Sequence, residues 1–296
     1  MDNRIFTTIM VATDGSDDAK NAVDSAVKIA QLNKAKLYAV HVIAPGEVKV
    51  TQHDPRDAEW EKHMKEHLMA QGREATKYVE TSGKIVGVSV EPVILEGNPA
   101  DEIVKFADKN DVELIVTGTL GKTGVARFLL GGVAENVARY SRTPVLVVRG
   151  MTMNNVTNIL IATDGSKSAD RAADLGIKFA RQYGAKVYVA YVKNVTAYDT
   201  VIIDEAWCTE ALQKYDKEAH RATSSVVDKA KFAGLSAEAA ILKGVEADEV
   251  LHFADKHDVD MIVVGSHGRS GLERFALGSV SEKVVRHAKV PVLVAR

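Results

Sequence analysis

The sequence of 296 residues contains an internal duplication. Residues 9–16 read Ile-Met-Val-Ala-Thr-Asp-Gly-Ser, and residues 159–166 read Ile-Leu-Ile-Ala-Thr-Asp-Gly-Ser. A second pair of matching segments, rich in glycine, begins at Gly118 and at Gly265. A repeat of roughly 150 residues has the size of an ordinary domain, so the duplication favours two domains with one fold. We predict domain 1 over residues 1–150 and domain 2 over residues 151–296.

Short apolar runs alternate with helical patterns in each copy. In the first copy we predict strands at 5–12, 36–43, 88–95, 113–117 and 144–149, and helices at 17–33, 57–84, 99–110 and 132–141. In the second copy we predict strands near 157–162, 186–192, 237–242, 260–264 and 291–295. These continuous Val/Ile-rich runs are typical of parallel sheets covered on both faces. The sequence therefore predicts the α/β class, with two tandem, doubly wound, five-stranded parallel sheets in 3-2-1-4-5 order.

Composition restricts the partners and the compartment. Hydrophobic residues make up 46% of the chain and charged residues 26%, and the net charge is −2 with scattered basic residues. This balance argues against nucleic acid or an anionic membrane as the main partner. Cys208 is the only cysteine, so an intrachain disulfide is excluded. With no apolar run of membrane-spanning length and no secretory signal pattern, we expect a cytoplasmic protein.

Acidic and glycine-rich segments follow two strands in each copy. Asp14 and Asp164 come directly after the first strand, and the segments at Gly118 and Gly265 come directly after the fourth. In open α/β sheets, ligands bind beyond the carboxyl ends of the strands, where the winding direction reverses. A glycine loop before a helix N-terminus suits phosphate, and a carboxylate across the crevice suits ribose hydroxyls or Mg²⁺. The sequence therefore predicts a mononucleotide site.

The segment Gly265-x2-Gly268-x9-Gly278-Ser279 matches the nucleotide-binding signature of the universal stress proteins. The chain resembles a tandem, two-domain member of the ATP-binding branch of that family. The resemblance implies ATP with Mg²⁺ as ligand, Asp164 at the ribose or the metal, and backbone of Val192 at the adenine. It implies that the phosphates are held by Gly265, Gly268, Gly278, Ser279, Val280 and Ser281, with Arg269 as a candidate further cation.

The first copy departs from this signature at two positions. Its counterparts of the site residues are Asp14, Val42, Gly118, Gly121, Gly131 and Gly132. Gly132 and Ala134 stand where the second copy has Ser279 and Ser281, so two hydroxyls are missing. A hydrogen bond to a charged group contributes about 1.5–3 kcal/mol. We therefore expect domain 2, with the intact motif, to be the better ATP site, and domain 1, with a degenerate motif, to bind weakly, differently or not at all.

The resemblance implies a nucleotide-dependent stress sensor or regulator. The sequence offers no positioned general base and no partnered nucleophile, so it does not support efficient catalysis. Slow hydrolysis or self-phosphorylation at Ser279 or Ser281 is left open. Two alternatives are a scaffold that binds no nucleotide and works by dimerisation, and a regulator that binds AMP or a cyclic nucleotide. The resemblance also implies that the two final strands pair within the chain as a pseudo-dimer, and it leaves a homodimer of chains open.

Three histidines invite other interpretations. His63 and His67 with Glu66 fit a spacing seen in zinc peptidases, but the charged flanks favour a solvated helix face. His267 lies within the glycine-rich segment of the second copy, where the first copy has Leu120. We treat His267 as a candidate contact to a phosphate or a metal.

Overall fold

The computed structural model of the chain describes residues 4–44, 55–119, 130–194, 205–268 and 277–296, without the side chains of 55–58 and 205–212. Two compact units are present, unit 1 from Met1 to Asn154 and unit 2 from Asn155 to Arg296. Unit 1 extends past Gly150, and two hydrogen bonds attach the segment from Gly150 to Met153 to the first helix of the unit. Asn21 Nδ2 donates to the Gly150 carbonyl at 3.3 Å, and the Met153 amide donates to Ser25 Oγ at 3.1 Å.

Unit 1 is an alternation of strands and helices. Its elements are β1 (Thr8–Ala12), α1 (Asp17–Asn33), β2 (Lys36–Ile43), α2 (Pro55–Ile85), β3 (Val90–Glu96), α3 (Pro99–Lys109), β4 (Leu114–Gly118), α4 (Gly132–Tyr140) and β5 (Val145–Val148). The strand order is β3-β2-β1-β4-β5, and all neighbours are parallel. The predicted class and strand order are therefore confirmed for this unit.

Unit 2 repeats the arrangement. Its elements are β6 (Asn158–Ala162), α5 (Lys167–Tyr183), β7 (Lys186–Lys193), α6 (Glu205–Phe232), β8 (Ala237–Lys243), α7 (Glu246–Lys256), β9 (Met261–Gly265), α8 (Ser279–His287) and β10 (Val292–Ala295). The order is β8-β7-β6-β9-β10, again with parallel neighbours. In both units the central strands are buried, as their unbroken apolar sequences predict.

The first strand of unit 1 is shorter than predicted. We predicted a strand over 5–12, whereas β1 begins at Thr8. The amides of Ile5 and Phe6 instead donate to Asn33 Oδ1, at 2.6 Å and 3.2 Å. The side chain of Asn33, at the end of α1, thus accepts hydrogen bonds from the amides that a longer β1 would use to pair with a neighbouring strand.

Serine residues begin the first helix of each unit. Ser16 Oγ accepts a hydrogen bond from the Ala19 amide, and Ser166 Oγ accepts one from the Ala169 amide, both at 3.2 Å. These are N-caps, which satisfy amides that the first helical turn leaves without partners. Among the helices formed by the described residues, none has the length and apolar character needed to cross a membrane.

Candidate functional site

Unit 2 has a cavity of about 310 Å³ at the carboxyl ends of β6, β7 and β9. Its wall contains the predicted residues Asp164, Val192, Gly265, Gly268, Gly278, Ser279, Val280 and Ser281. Arg269, the other residue predicted for this site, lies outside the described residues. The fold thus brings together segments that are more than 100 positions apart in the sequence, because parallel strands end at the same edge of the sheet.

Asp164 has a structural role in the turn after β6. Its Oδ1 accepts a hydrogen bond from the Ser166 amide at 2.9 Å, and Thr163 Oγ1 accepts one from the Gly165 amide at 3.2 Å. This is the turn geometry that Asp before Gly favours. The second carboxylate oxygen, Oδ2, lies at the glycine loop, because a Cβ atom added to Gly268 would be 3.1 Å from it. Asp164 therefore shapes the turn through one oxygen and borders the cavity.

Two glycines allow the backbone after β9 to approach its neighbours closely. A Cβ atom at Gly265 would lie 2.8 Å from Ser168 Oγ and 3.0 Å from the Ser168 carbonyl carbon. The Gly278 amide donates to the Ser266 carbonyl at 2.8 Å, which closes the loop next to α8. The close contact at Gly265 and the hydrogen bond at Gly278 keep the backbone at the cavity wall.

Helix α8 begins at the cavity without a capping side chain. Its N-cap is Gly278, which offers no side-chain acceptor, and no side-chain cap bond is present there in the described part of the chain. The first amides of a helix have no partners within the helix, and they carry partial positive charge. Ser279, Val280 and Ser281, the first three residues of this uncapped helix, line the cavity wall.

The two serines at the start of α8 differ in role. Ser279 is exposed at the cavity, whereas Ser281 is only 8% exposed. Ser281 Oγ donates to the Gly265 carbonyl at 2.6 Å and so ties the end of β9 to α8. This bond uses the hydroxyl proton that a phosphate oxygen would accept. Ser279 is therefore the better placed of the two hydroxyls to donate to a ligand.

His267 belongs to a short polar chain beside the glycine loop. Its Nδ1 lies 2.9 Å from Ser266 Oγ, and its amide donates to Ser168 Oγ at 3.3 Å. Its Nε2 is buried and has no hydrogen-bond partner among the described residues. A buried polar atom of this kind costs free energy unless a ligand or water satisfies it. The residue also lines the cavity, which strengthens it as a candidate ligand contact.

The outer wall of the cavity carries polar residues that the sequence patterns did not single out. Asn194 follows β7, Tyr215 comes from α6, and Glu246 is the first residue of α7. Asn194 Nδ2 lies 3.1 Å from each of the two Glu246 carboxylate oxygens. An alignment of the two copies shows that these two polar residues are particular to unit 2, because unit 1 has Ala44 and Pro99 at the corresponding positions. That difference could have pointed to the pair before the structure was known.

Unit 1 has a smaller cavity at the equivalent edge, with a volume of about 170 Å³. The predicted residues Asp14, Val42, Gly118, Gly131 and Gly132 line it, whereas Gly121 lies outside the described residues. His41 also lines this cavity, and its Nδ1 donates to the Thr13 carbonyl at 2.9 Å. Pockets for small ligands usually measure roughly 300–1,000 Å³, and of these two cavities, as formed by the described residues, the one in unit 2 reaches that range.

The histidines of α2 show no metal geometry. His63 is 69% exposed and lies 3.7 Å from Glu66 and 3.9 Å from Glu59, while His67 Nε2 lies 2.9 Å from Gln71 Nε2. Within the described residues, no three His, Cys, Asp or Glu side chains converge as metal ligands. The exposure of His63 agrees with the preferred interpretation of a solvated helix face.

Comparisons with known proteins identify the family. A model of the universal stress protein family matches residues 6–149 and 155–296. A universal stress protein of Methanocaldococcus jannaschii is 41% identical over 145 residues, which span 49% of this chain and 83% of the relative. A universal stress protein of Mycolicibacterium smegmatis is 25% identical over 306 aligned positions, which cover 97% of this chain and 96% of the relative.

Solved structures show the same fold along the whole chain. The crystal structure of a universal stress protein from Archaeoglobus fulgidus superposes with a TM-score of 0.73 at 20% sequence identity. The superposition covers 99% of this chain and 98% of the Archaeoglobus chain. The two separate family matches fall on the two repeats of the sequence. The chain therefore belongs to the universal stress protein family, and it carries two family domains in tandem.

Proposed function

We propose that unit 2 binds ATP with Mg²⁺ and that the protein acts as a nucleotide-dependent stress sensor or regulator with little or no turnover. The observation that carries the proposal is the uncapped N-terminus of α8, which borders a cavity of about 310 Å³ together with Asp164. Helix amides recognise phosphate, and a carboxylate recognises ribose hydroxyls.

The residues present fit a nucleotide. Gly268 leaves space beside Asp164 Oδ2 that a Cβ atom would partly fill, and Ser279 offers an exposed hydroxyl. The buried Nε2 of His267 has no partner among the described residues, and a phosphate oxygen would satisfy it if Nε2 carries the proton. Anion-binding amides and a candidate donor side chain thus lie on the wall that would face the phosphates.

Asp164 is the residue that fits Mg²⁺. One of its carboxylate oxygens already accepts from the Ser166 amide, and no ligating cluster of three side chains exists among the described residues. Protein sites commonly hold Mg²⁺ through one or two carboxylates together with substrate phosphates. We therefore expect Mg²⁺ to bind with the nucleotide rather than alone, where it would neutralise phosphate charge.

The proposed low turnover agrees with the geometry of one candidate nucleophile. Ser266 is hydrogen-bonded to His267, but the serine is 2% exposed and its hydroxyl also lies 3.5 Å from Ser168 Oγ. A nucleophile must reach the phosphorus atom, so burial excludes Ser266 from that role. The residues around the cavity would bind and orient the nucleotide, and the bound state would be the regulatory signal.

The single cysteine supports the reducing cytoplasm as the expected compartment.

The first experiment is to denature freshly purified protein and to identify and quantify the released nucleotide by mass spectrometry and absorbance. One equivalent of ATP per chain is expected. Two equivalents would show that unit 1 also binds. AMP or a cyclic nucleotide in place of ATP would favour the alternative regulator. If no nucleotide is released and calorimetry with Mg-ATP shows no heat, the scaffold function is favoured instead.

A further inference from the structure

Ser168, in the first turn of α5, lies against the glycine loop of unit 2, which starts at Gly265. The serine is only 6% exposed. A Cβ atom added to Gly265 would be 2.8 Å from the Ser168 hydroxyl oxygen, so the end of β9 and this hydroxyl are in direct contact. The serine side chain thus faces the loop rather than solvent.

The Ser168 hydroxyl makes polar contacts with the next two residues of the loop. Its Oγ accepts a hydrogen bond from the His267 amide at 3.3 Å, and it lies 3.5 Å from Ser266 Oγ. Ser266 Oγ in turn lies 2.9 Å from His267 Nδ1. Ser168 precedes these loop residues by 98 and 99 positions in the sequence. A helix from the other end of the unit therefore attaches to the loop through this one side chain.

Unit 1 shares the close packing but has a different side chain at this position. A Cβ atom added to Gly118 would lie 3.3 Å from the carbonyl oxygen of Asp18, which is the counterpart of Ser168. Asp18 is exposed, and within the described residues no hydrogen bond joins its side chain to the segment after β4. The attachment through a buried hydroxyl is therefore a feature of unit 2.

A loop that is already ordered loses less conformational entropy when a ligand binds, and the affinity is higher for that reason. The glycine loop of unit 2 leads to the start of α8, where the proposed function places the phosphates. We propose that Ser168 is a positioning residue, which orders this loop before the nucleotide binds and so raises the affinity for its phosphate groups. The inference rests on the proposed function, because it concerns the same nucleotide.

The first part of the test measures loop order in the full chain without nucleotide. Alanine is smaller than serine and suits a helix, so Ser168→Ala should keep the fold. The His267 amide loses its acceptor in this variant, and its hydrogen exchange, followed by NMR, should become about tenfold faster or more. The Gly131 amide, which donates to the Thr119 carbonyl in unit 1, is the control and should exchange at its original rate.

The second part compares ATP with adenosine by calorimetric titration in the presence of Mg²⁺. Ser168→Ala should weaken ATP binding by about threefold to tenfold. The affinity for adenosine should stay within about twofold, because adenosine has no phosphate to meet the loop. The matched variant Asp18→Ala in unit 1 should leave both affinities unchanged.

The outcomes separate this inference from the proposed function. If ATP binds the unaltered protein but Ser168→Ala keeps either its ATP affinity or the slow exchange of the His267 amide, the inference is wrong and the proposed function stands. Equal losses for ATP and adenosine would also overturn the inference, since they would indicate damage to the whole cavity. If ATP does not bind the unaltered protein, the proposed function is wrong and the inference falls with it.

Discussion

The two units have the same backbone frame around cavities of different size and chemistry. The Ser16 and Ser166 amides donate to the preceding aspartates at 3.0 Å and 2.9 Å, and the Gly131 and Gly278 amides close the loops before α4 and α8 at 2.6 Å and 2.8 Å. The cavities nevertheless measure about 170 Å³ in unit 1 and about 310 Å³ in unit 2. The two units thus share a backbone frame at the carboxyl ends of their strands, and they differ in the side chains that line the cavity there.

The largest expected effect comes from closing the unit 2 cavity with Gly268→Leu. A Cβ atom at this position would lie 3.1 Å from Asp164 Oδ2, and the remaining side-chain atoms would occupy ligand space. We expect a loss of ATP affinity of about a hundredfold or more, which corresponds to about 2.7 kcal/mol. Isothermal titration calorimetry measures this loss. The matched variant Gly121→Leu in unit 1 should change affinity much less, and equal losses would overturn the proposed difference between the units.

A smaller effect is expected from exchanging the first residues of α8 and α4. Ser279→Gly removes a hydroxyl at the proposed phosphate position and should weaken ATP binding by about tenfold to a hundredfold. The converse change, Gly132→Ser, introduces a hydroxyl where an added Cβ meets no atom within 4 Å. Equilibrium dialysis of Gly132→Ser should show more nucleotide bound by unit 1. If both variants bind as the unaltered protein does, this hydroxyl does not explain the difference.

Ser281→Ala should affect stability rather than binding. It removes the hydrogen bond to the Gly265 carbonyl, which contributes about 1 kcal/mol. We expect the melting temperature to fall by about 2–4 °C in differential scanning calorimetry. ATP affinity should stay within about twofold of the original value, because the hydroxyl proton already has a partner. A large loss of affinity with an unchanged melting temperature would instead place Ser281 at the ligand.

The smallest effect concerns Lys193, which unit 1 replaces by Ile43. Lys193 is 9% exposed and pairs with Asp216, whose pKa is lowered by the hydrogen bond from the Lys193 ammonium. Lys193→Ile should leave the melting temperature unchanged or slightly higher, since Asp216 is half exposed and an ion pair that reaches solvent contributes little, whereas isoleucine fits the buried position. Asp216→Asn should lower the melting temperature by about 1–2 °C, because the buried ammonium loses its partner.

The pH dependence provides a second readout for this pair. A carboxyl group with a lowered pKa in the folded state contributes stability above its unfolded pKa of about 3.9. That contribution disappears as the pH falls through the lowered value. The difference in melting temperature between the unaltered protein and Asp216→Asn should therefore be full above about pH 4 and shrink at lower pH. A difference that persists at lower pH would show that the ion pair is not its cause.

Most elements could be predicted because their signals are local. The predicted helix at 17–33 is observed as α1, from Asp17 to Asn33, and the predicted strand at 36–43 as β2, from Lys36 to Ile43. Apolar runs, Asp-Gly turns and serine N-caps depend on neighbouring residues, so they can be read directly. The predicted start of the first strand at residue 5 was wrong. The Ile5 amide donates to the side chain of Asn33, which lies 28 positions away in the sequence.

Some features of the site could not be predicted because they depend on distant contacts. The hydrogen bonds between Asn194 and Glu246 join residues 52 positions apart, and they form only because β7 and α7 pack next to each other. The role of Ser281 likewise depends on a carbonyl group 16 positions earlier in the chain. The sequence identified Ser281 as a hydroxyl near phosphate, whereas the fold directs its proton into the protein.

The sequence by itself determined the duplication, the α/β class and the positions of the aspartates and glycines at the strand ends. These follow from short-range periodicity and turn chemistry, and the repeat supports each of them twice. Only the tertiary structure decided that the cavity of unit 2 is larger than that of unit 1. It also decided that the Ser281 hydroxyl donates to the Gly265 carbonyl and that the Asn194 amide is oriented by Glu246. Cavity volume and hydrogen-bond partners depend on how side chains from several elements pack, and no local pattern in the sequence encodes that packing.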